Sequence, residues 1–186
     1  MKRFLIVILI LLFFLSIFSS ADVWAEGSKG VVGKFGLGPR AGYYKSNDAD
    51  EGTLYFGIQA RGRLTPNLAI EGAIDYRKEE FDNGNTVSKS YPILASALLY
   101  LLPNSTLSPY IVGGIGWYNT TVEIKDAGKE TSSDIGYHLG AGADIPIAET
   151  VILNFDIRYN FLDISVENKD IDYKGWIGTG GLTFYF

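Results

Sequence analysis

Residues 153–161 read LNFDIRYNF. Leu153, Phe155, Ile157, Tyr159 and Phe161 alternate with Asn154, Asp156, Arg158 and Asn160, a period of two that marks a strand with one apolar and one polar face. The same period recurs along the chain. Eight stretches have strand character: Lys34–Lys45, Thr53–Leu64, Leu68–Glu79, Val87–Leu102, Ser108–Ile124, Asp134–Ile145, Val151–Ile164 and Tyr173–Phe186. No helical period of comparable length competes with them, and no low-complexity linker divides the series. An even number of long strands with turn residues between them predicts an all-β fold, an eight-stranded antiparallel up-and-down barrel.

The connections alternate in kind. Those after the second, fourth and sixth strands are TPN (Thr65–Asn67), PNSTL (Pro103–Leu107) and PIAET (Pro146–Thr150), short and almost uncharged. Those after the first, third, fifth and seventh are SNDADEG, EFDNGNT, KDAGKETSS and SVENKDID, longer on average and rich in charged and amide residues. Short turns at one end and long polar loops at the other form the asymmetry of a transmembrane barrel whose turns face the periplasm.

Period two alone leaves open which face meets solvent, since a soluble lipocalin-like barrel would turn its charges outward around an apolar cup. The aromatic residues decide the expectation. Tyr43, Tyr55, Tyr76, Tyr91, Trp117, Tyr137, Tyr159 and Trp176 fall near the long-loop end, and Phe35, Tyr100, Tyr110, Phe184 and Phe186 near the other. Two belts of rings suit the two membrane–water interfaces. The polar face then lines the lumen, and Arg61, Arg63, Glu71, Asp75, Arg77, Asp144, Asp156 and Arg158 are expected to form a charge network there. Eight strands leave an interior just wide enough for side chains to fill, and a charge withdrawn from water must be paired. These residues are therefore read as a polar plug, with a narrow pore gated by the same salt bridges as the alternative.

The start of the chain adds a compartment. Lys2 and Arg3, the apolar run Phe4–Phe18 and the small-residue stretch SSADVWA follow the order of a secretory signal peptide. Cleavage is expected after Ala25, or else after Ala21, giving a signal peptide over 1–25 and one barrel domain over 26–186. Fifteen residues fall short of the roughly 20 that span a bilayer as a helix. The mature chain would carry 14 basic against 20 acidic side chains, a balance that argues against a nucleic-acid partner. There is no cysteine, which excludes disulfides and thiolate metal sites. With one histidine, His138, no metal or other cofactor is expected.

The remaining motifs favour structure over chemistry. Gly113, Gly114, Gly116, Gly178, Gly180 and Gly181 lie within strands and open no helix, so they do not form an anion-cradling loop. Glycine there permits strong coiling and gives room to bulky neighbours. An arrangement of His138 with Ser132 or Ser133 and a carboxylate such as Asp134 or Glu123 has no support from spacing.

The chain closes on GLTFYF, with Leu182, Phe184 and Phe186 on one face. This resembles the C-terminal assembly signal of outer-membrane barrels. The stretches SPYIVGGIGWYNT (Ser108–Thr120), GYHLGAGADIPI (Gly136–Ile147) and LNFDIRYNFLD (Leu153–Asp163) resemble the second half of the small eight-stranded barrels of the OmpA, OmpX and OmpW types. The resemblance implies a Gram-negative outer-membrane protein, folded by the barrel-assembly machinery with periplasmic chaperones, monomeric, and in contact with outer-membrane lipid and lipopolysaccharide. No peptidoglycan-binding domain is expected after the barrel, so cell-wall anchoring is not carried over from the OmpA type. Lipid A deacylases of the outer membrane place a Ser two residues after the His, where this chain has Gly140, so a non-enzymatic role is expected: envelope integrity or surface interaction through the loops. A channel or carrier for small or apolar solutes, porin-like or OmpW-like, is the alternative. If the terminus is the assembly signal, deleting Phe186 lowers the amount of folded protein in outer-membrane fractions, as read by heat-modifiable gel mobility; unchanged yield would remove it from that role.

Overall fold

The computed structural model describes residues 30–47, 52–81, 86–103, 105–124, 128–161, 163–166, 169–172 and 174–186. Ten strands occur among them: β1 (Phe35–Ser46), β2 (Thr53–Arg63), β3 (Leu68–Phe81), β4 (Thr86–Tyr100), β5 (Ser108–Ile124), β6 (Gly128–Ala148), β7 (Val151–Phe161), β8 (Asp163–Val166), β9 (Lys169–Asp172) and β10 (Gly175–Tyr185). Eight of them close into a barrel in the order β1-β10-β7-β6-β5-β4-β3-β2, while β8 and β9 pair as a separate hairpin. Every neighbouring pair is antiparallel, including the closing pair of β1 with β10, where Gly36 lies opposite Tyr185 and Ser46 opposite Gly175. The predicted architecture is the observed one. The expected signal peptide and both cleavage points lie outside the described residues.

Parity resolves the two faces. Along β7, Ile152, Asn154, Asp156, Arg158 and Asn160 are buried, whereas Phe155, Ile157 and Phe161 are exposed. The buried face of a barrel is its lumen, so the polar set points inward and the apolar set outward. The soluble alternative required the reverse. The outer wall carries Leu54, Phe56, Ile58, Ile70, Ile74, Ile93, Ile111, Ile115, Leu139 and Phe184, all exposed. An uninterrupted apolar wall of this kind belongs against hydrocarbon, since a monomer in water seldom exposes so large a contiguous patch.

The lumen is layered. At the short-turn end Ala69, Leu98, Tyr100, Tyr110 and Val112 form one buried cluster, with Val31, Ile152 and Tyr185 beneath. Val31 is held there because the Gly33 amide donates to the Arg63 carbonyl at 2.7 Å. Toward the loop end Tyr44, Tyr55 and Ile177 form another cluster. The charged residues lie between.

Strand limits differ from expectation where the chain leaves the membrane. The segment KDAGKETSS is mostly strand: β5 and β6 continue their ladder as far as Ile124 opposite Gly128. Gly128 has φ +106°, a conformation that other residues rarely adopt. The β8–β9 hairpin spans SVENKDID and begins two residues before it, with Ile164 opposite Ile171. The turn expected at Pro146–Thr150 shrinks to Glu149 and Thr150, with a bulge between Pro146 and Ala148. In water both faces of a strand are free to be polar, so the alternation that marks strands within the membrane is lost above it.

The barrel rim is therefore uneven. β3 extends to Phe81, five residues beyond Tyr76, which lies opposite Phe56 of β2. β6 begins nine residues before Tyr137, where its pairing with β7 starts. Four strands, β3 to β6, thus stand as a sheet above the rest. If the faces are as described, Ile157→Arg costs roughly 2–4 kcal/mol near the bilayer midplane, and Asn160→Ala on the lumen side is tolerated. Urea unfolding in phospholipid vesicles checks this, and equal tolerance of both would refute it.

Candidate functional site

The lumen charges come from strands on opposite walls. In the closed order β3 and β7 are four positions apart, as are β2 and β6, so each pair faces across a full diameter. On β3 inward parity gives Glu71, Asp75 and Arg77; on β2, Gln59, Arg61 and Arg63; on β7, Asp156 and Arg158; on β6, His138 and Asp144. All are buried. Arg61, Glu71, Asp156 and Arg158 sit within the body of their strands, whereas Arg63 closes β2 at the short-turn end and Asp75 and Arg77 stand nearer the loops.

They meet across the diameter. Arg158 Nη2 donates to Glu71 Oε1 at 2.8 Å, and Arg61 Nη1 to Asp144 Oδ1 at 2.9 Å. Arg61 Nε donates to Glu71 Oε2 at 2.6 Å, so Glu71 is held from both sides. Arg158 also grips Asp156 with two nitrogens, at 2.8 and 2.9 Å. Phenols complete the shells: Tyr100 donates to Asp144 at 2.6 Å and Tyr110 to Asp156 at 3.2 Å. Arg63 stacks on the Tyr100 ring at 3.4 Å and lies 3.7 Å from Asp144. Nearer the loops, Asp75 lies 3.1 Å from Arg40 and 3.8 Å from Arg77, and Arg77 stands over the rings of Tyr44 and Tyr55. The side chains of Arg61, Glu71, Asp144 and Arg158 have no exposed area. Bonds between opposite walls thus cross the lumen at this level.

All eight residues expected in the network lie inside and belong to these pairs. Arg40 was missed. It stands on the inward face of β1, and its guanidinium reaches Glu71 at 3.3 Å as well as Asp75. The sequence signal was present in the alternation of Gly36, Gly38, Arg40, Gly42 and Tyr44, but glycines made that strand hard to read as two-faced. Glycine also makes room for the charges. A Cβ on Gly140 would lie 2.2 Å from the Ile157 carbonyl oxygen and 3.0 Å from Arg158 Cγ.

One expectation about the aromatics is corrected. Tyr55 does not join the interface belt; it is fully buried, and its hydroxyl lies 2.6 Å from that of Thr179. Its nearness to the loop end was read without its parity, which it shares with Gln59 and Arg61. Tyr100 and Tyr110, expected near the opposite interface, turn inward for the same reason. The other seven face outward: Tyr43, Tyr91, Trp117, Tyr137 and Trp176 are exposed, and Tyr76 and Tyr159 are half-buried. Tyr76 packs on Tyr91 with centroids 5.2 Å apart, and Tyr159 on Trp176 at 5.1 Å. Phe184 and Phe186 also face outward, and Leu182 is half-buried.

His138 lies in the lumen, its Nε2 2.8 Å from Ser96 Oγ. Ser96 also accepts from Arg158 at 3.3 Å, and both partners are buried. Ser132 donates to Asp134, and Ser133 to Asn119. Among the described residues no group of three or more His, Cys, Asp or Glu side chains is placed to hold a metal ion. An apolar groove of about 580 Å³ lies on the outer wall, lined by Ala60, Gly72, Ala95, Ala97 and Gly113 among others.

A closed antiparallel barrel with an apolar wall, an aromatic girdle and a paired polar interior defines a membrane-spanning β-barrel. Residues 10–184 match the family model described as outer membrane protein beta-barrel domain, and the chain belongs to that family. Solved structures share the fold. Neisserial surface protein A is 21% identical, with 83% of this chain and 97% of that one covered and a TM-score of 0.64. OprG from Pseudomonas aeruginosa is 14% identical, covering 89% and 99%, TM-score 0.60. Ail, the attachment invasion locus protein of Yersinia pestis, is 16% identical, covering 82% and 97%, TM-score 0.54. No curated protein sequence matches the chain.

Glu71 is the shared anchor of Arg40, Arg61 and Arg158. Its replacement by Ala leaves buried guanidiniums under-partnered and costs roughly 3–5 kcal/mol. Replacing exposed Glu149 by Ala changes stability by less than about 0.5 kcal/mol. Urea unfolding in vesicles measures both, and equal effects would deny the network its structural weight.

Proposed function

We propose that this chain is a non-enzymatic outer-membrane barrel with a plugged lumen, contributing to envelope integrity or to surface interaction through the face above its aromatic girdle. The observation that carries this reading is the pair of diametric bonds, Arg158 to Glu71 and Arg61 to Asp144. Because they occupy the centre of the lumen, an open solute path would have to break buried, charge-assisted hydrogen bonds. Burial of Ser96 and His138 speaks against a hydrolytic role for that pair, since a substrate would have to enter the same filled layer.

In this reading the chain is exported by a cleaved signal peptide in a Gram-negative cell. It is carried by periplasmic chaperones, inserted by the barrel-assembly machinery using Leu182, Phe184 and Phe186, and works as a monomer. Its lipid partners are those of the outer membrane, lipopolysaccharide included. The long-loop end faces outward and presents the raised β3–β6 sheet. One of the solved structures that share the fold is Ail of Yersinia pestis in complex with the heparin analogue sucrose octasulfate.

Planar-bilayer conductance of the refolded mature chain tests the plug. Wild-type protein and Arg158→Ala are both expected to be silent on the scale of an open pore. A steady conductance that rises in the variant would make the charged layer a gate and replace this reading with a narrow channel.

A further inference from the structure

Ile152 and Tyr185 are the last inward residues of β7 and β10 at the short-turn mouth, where an open barrel would leave them wet. They are nevertheless only 1% and 4% exposed. Neighbours on the wall cover a side chain from the sides, so a further group must cover these two from below. Val31 does so. It is 2% exposed and forms one buried cluster with Ile152 and Tyr185, whereas the next residue, Val32, is exposed.

The backbone shows how Val31 arrives there. Below the last β1–β2 pair, Phe35 opposite Gly62, the Gly33 amide donates to the Arg63 carbonyl at 2.7 Å and the Arg63 amide to the Lys34 carbonyl at 3.1 Å. Two residues thus stand against one, the arrangement of a β-bulge, which bends its strand. Gly33 has φ +80°, a conformation that glycine adopts without steric cost. The chain then turns, closed by the Lys34 amide on the Val31 carbonyl at 3.1 Å. It reaches Gly30, where an added Cβ would lie 3.5 Å from the Glu149 carbonyl oxygen. Glu149 belongs to the turn between β6 and β7, and β6 stands three places from β1 and four from β2 in the closed order. Residues 30–34 therefore cross the mouth from the β1–β2 side to the far wall, with Val31 directed into the lumen. Their attachments are one bulge, one turn and one buried valine, all outside the barrel ladders. The Glu71 carboxylate, held by Arg61 and Arg158, lies further in.

We propose that residues 30–34 are a strap that closes the short-turn mouth of the lumen, a seal separate from the charge layer, and that lifting it opens the mouth without breaking a barrel ladder. The lumen is then barred twice, a conclusion that rests on the plugged-lumen reading above.

The chain has no cysteine, so a single introduced one reports access. Thr183, fully buried on the inward face of β10 two residues above Tyr185, is replaced by Cys in the refolded mature chain in lipid nanodiscs. Its reaction with a charged, water-soluble methanethiosulfonate is followed by mass spectrometry. With the strap intact the thiol is expected to react slowly. Val31→Asp, which sets a charge in an apolar cluster, is expected to speed labelling by roughly tenfold or more, because a covered group reacts only when its cover opens. Gly33→Pro acts by another route, removing the N–H that bonds Arg63 and forbidding a positive φ, and the same acceleration is expected. Val32→Asp, on the exposed neighbour, is the control and leaves the rate unchanged. Heat-modifiable mobility confirms that each variant is folded. Fast labelling with the strap intact, or equal rates in all four chains, overturns the strap. The charge layer is read separately, by planar-bilayer conductance of Val31→Asp without the introduced cysteine. Silence supports a layer that is closed on its own. A steady conductance together with strap-dependent labelling overturns that layer as a plug and leaves the strap as the seal.

Discussion

Hydrocarbon offers no partner to a backbone N–H or C=O, and each one left unpaired costs several kcal/mol. A sheet meets that condition only by closing on itself, and the pairing of β1 with β10 does so. Much of the remaining structure follows from that closure. Strand parity becomes a division between lipid and lumen, the turns are forced to the two rims, and eight strands set a lumen too narrow to hold bulk water. The side chains on the inner face must therefore fill the space and pair with one another.

The pairing is geometrically demanding. An Arg–carboxylate bond reaches across this barrel only when the partners stand on opposite strands at one height, as with Arg158 and Glu71 or Arg61 and Asp144. Replacing a buried ion pair by well-packed apolar groups is often neutral or stabilising, whereas removing one partner is costly. The network is thus better understood as specifying register than as a large net source of stability. A strand slipped by one residue would turn its own charges to the lipid, as β2 would Arg61 and Arg63, and strand their partners in the lumen, so the charges penalise wrong pairings more than they reward the right one. Clusters of buried apolar and aromatic side chains around Tyr110 and around Tyr44 flank the charged level at its two ends.

Above the membrane the constraint relaxes. Strands β3 to β6 run on past the aromatic girdle, and the chain is free to shape that sheet for contact. The surface role proposed for this protein is accordingly sought on the raised face more than in the lumen.

Alternation in the sequence, read together with the heights of the aromatic residues, was enough to predict the number of barrel strands, their antiparallel order, the lipid-facing residues and the inward set Arg61, Arg63, Glu71, Asp75, Arg77, Asp144, Asp156 and Arg158. The hydrocarbon allows no ambiguity about which face is apolar, so the pattern is written directly into the chain. Tyr55 shows the limit of reading by position, since height along a strand names a rim while only parity names a side. Arg40 shows the limit of parity where glycines blank one face. Which guanidinium met which carboxylate and the extension of β5 and β6 past the membrane were decided by the tertiary structure alone. Each depends on how far neighbouring strands are staggered around the closed barrel, and stagger is a relation between segments distant in sequence that no single segment encodes.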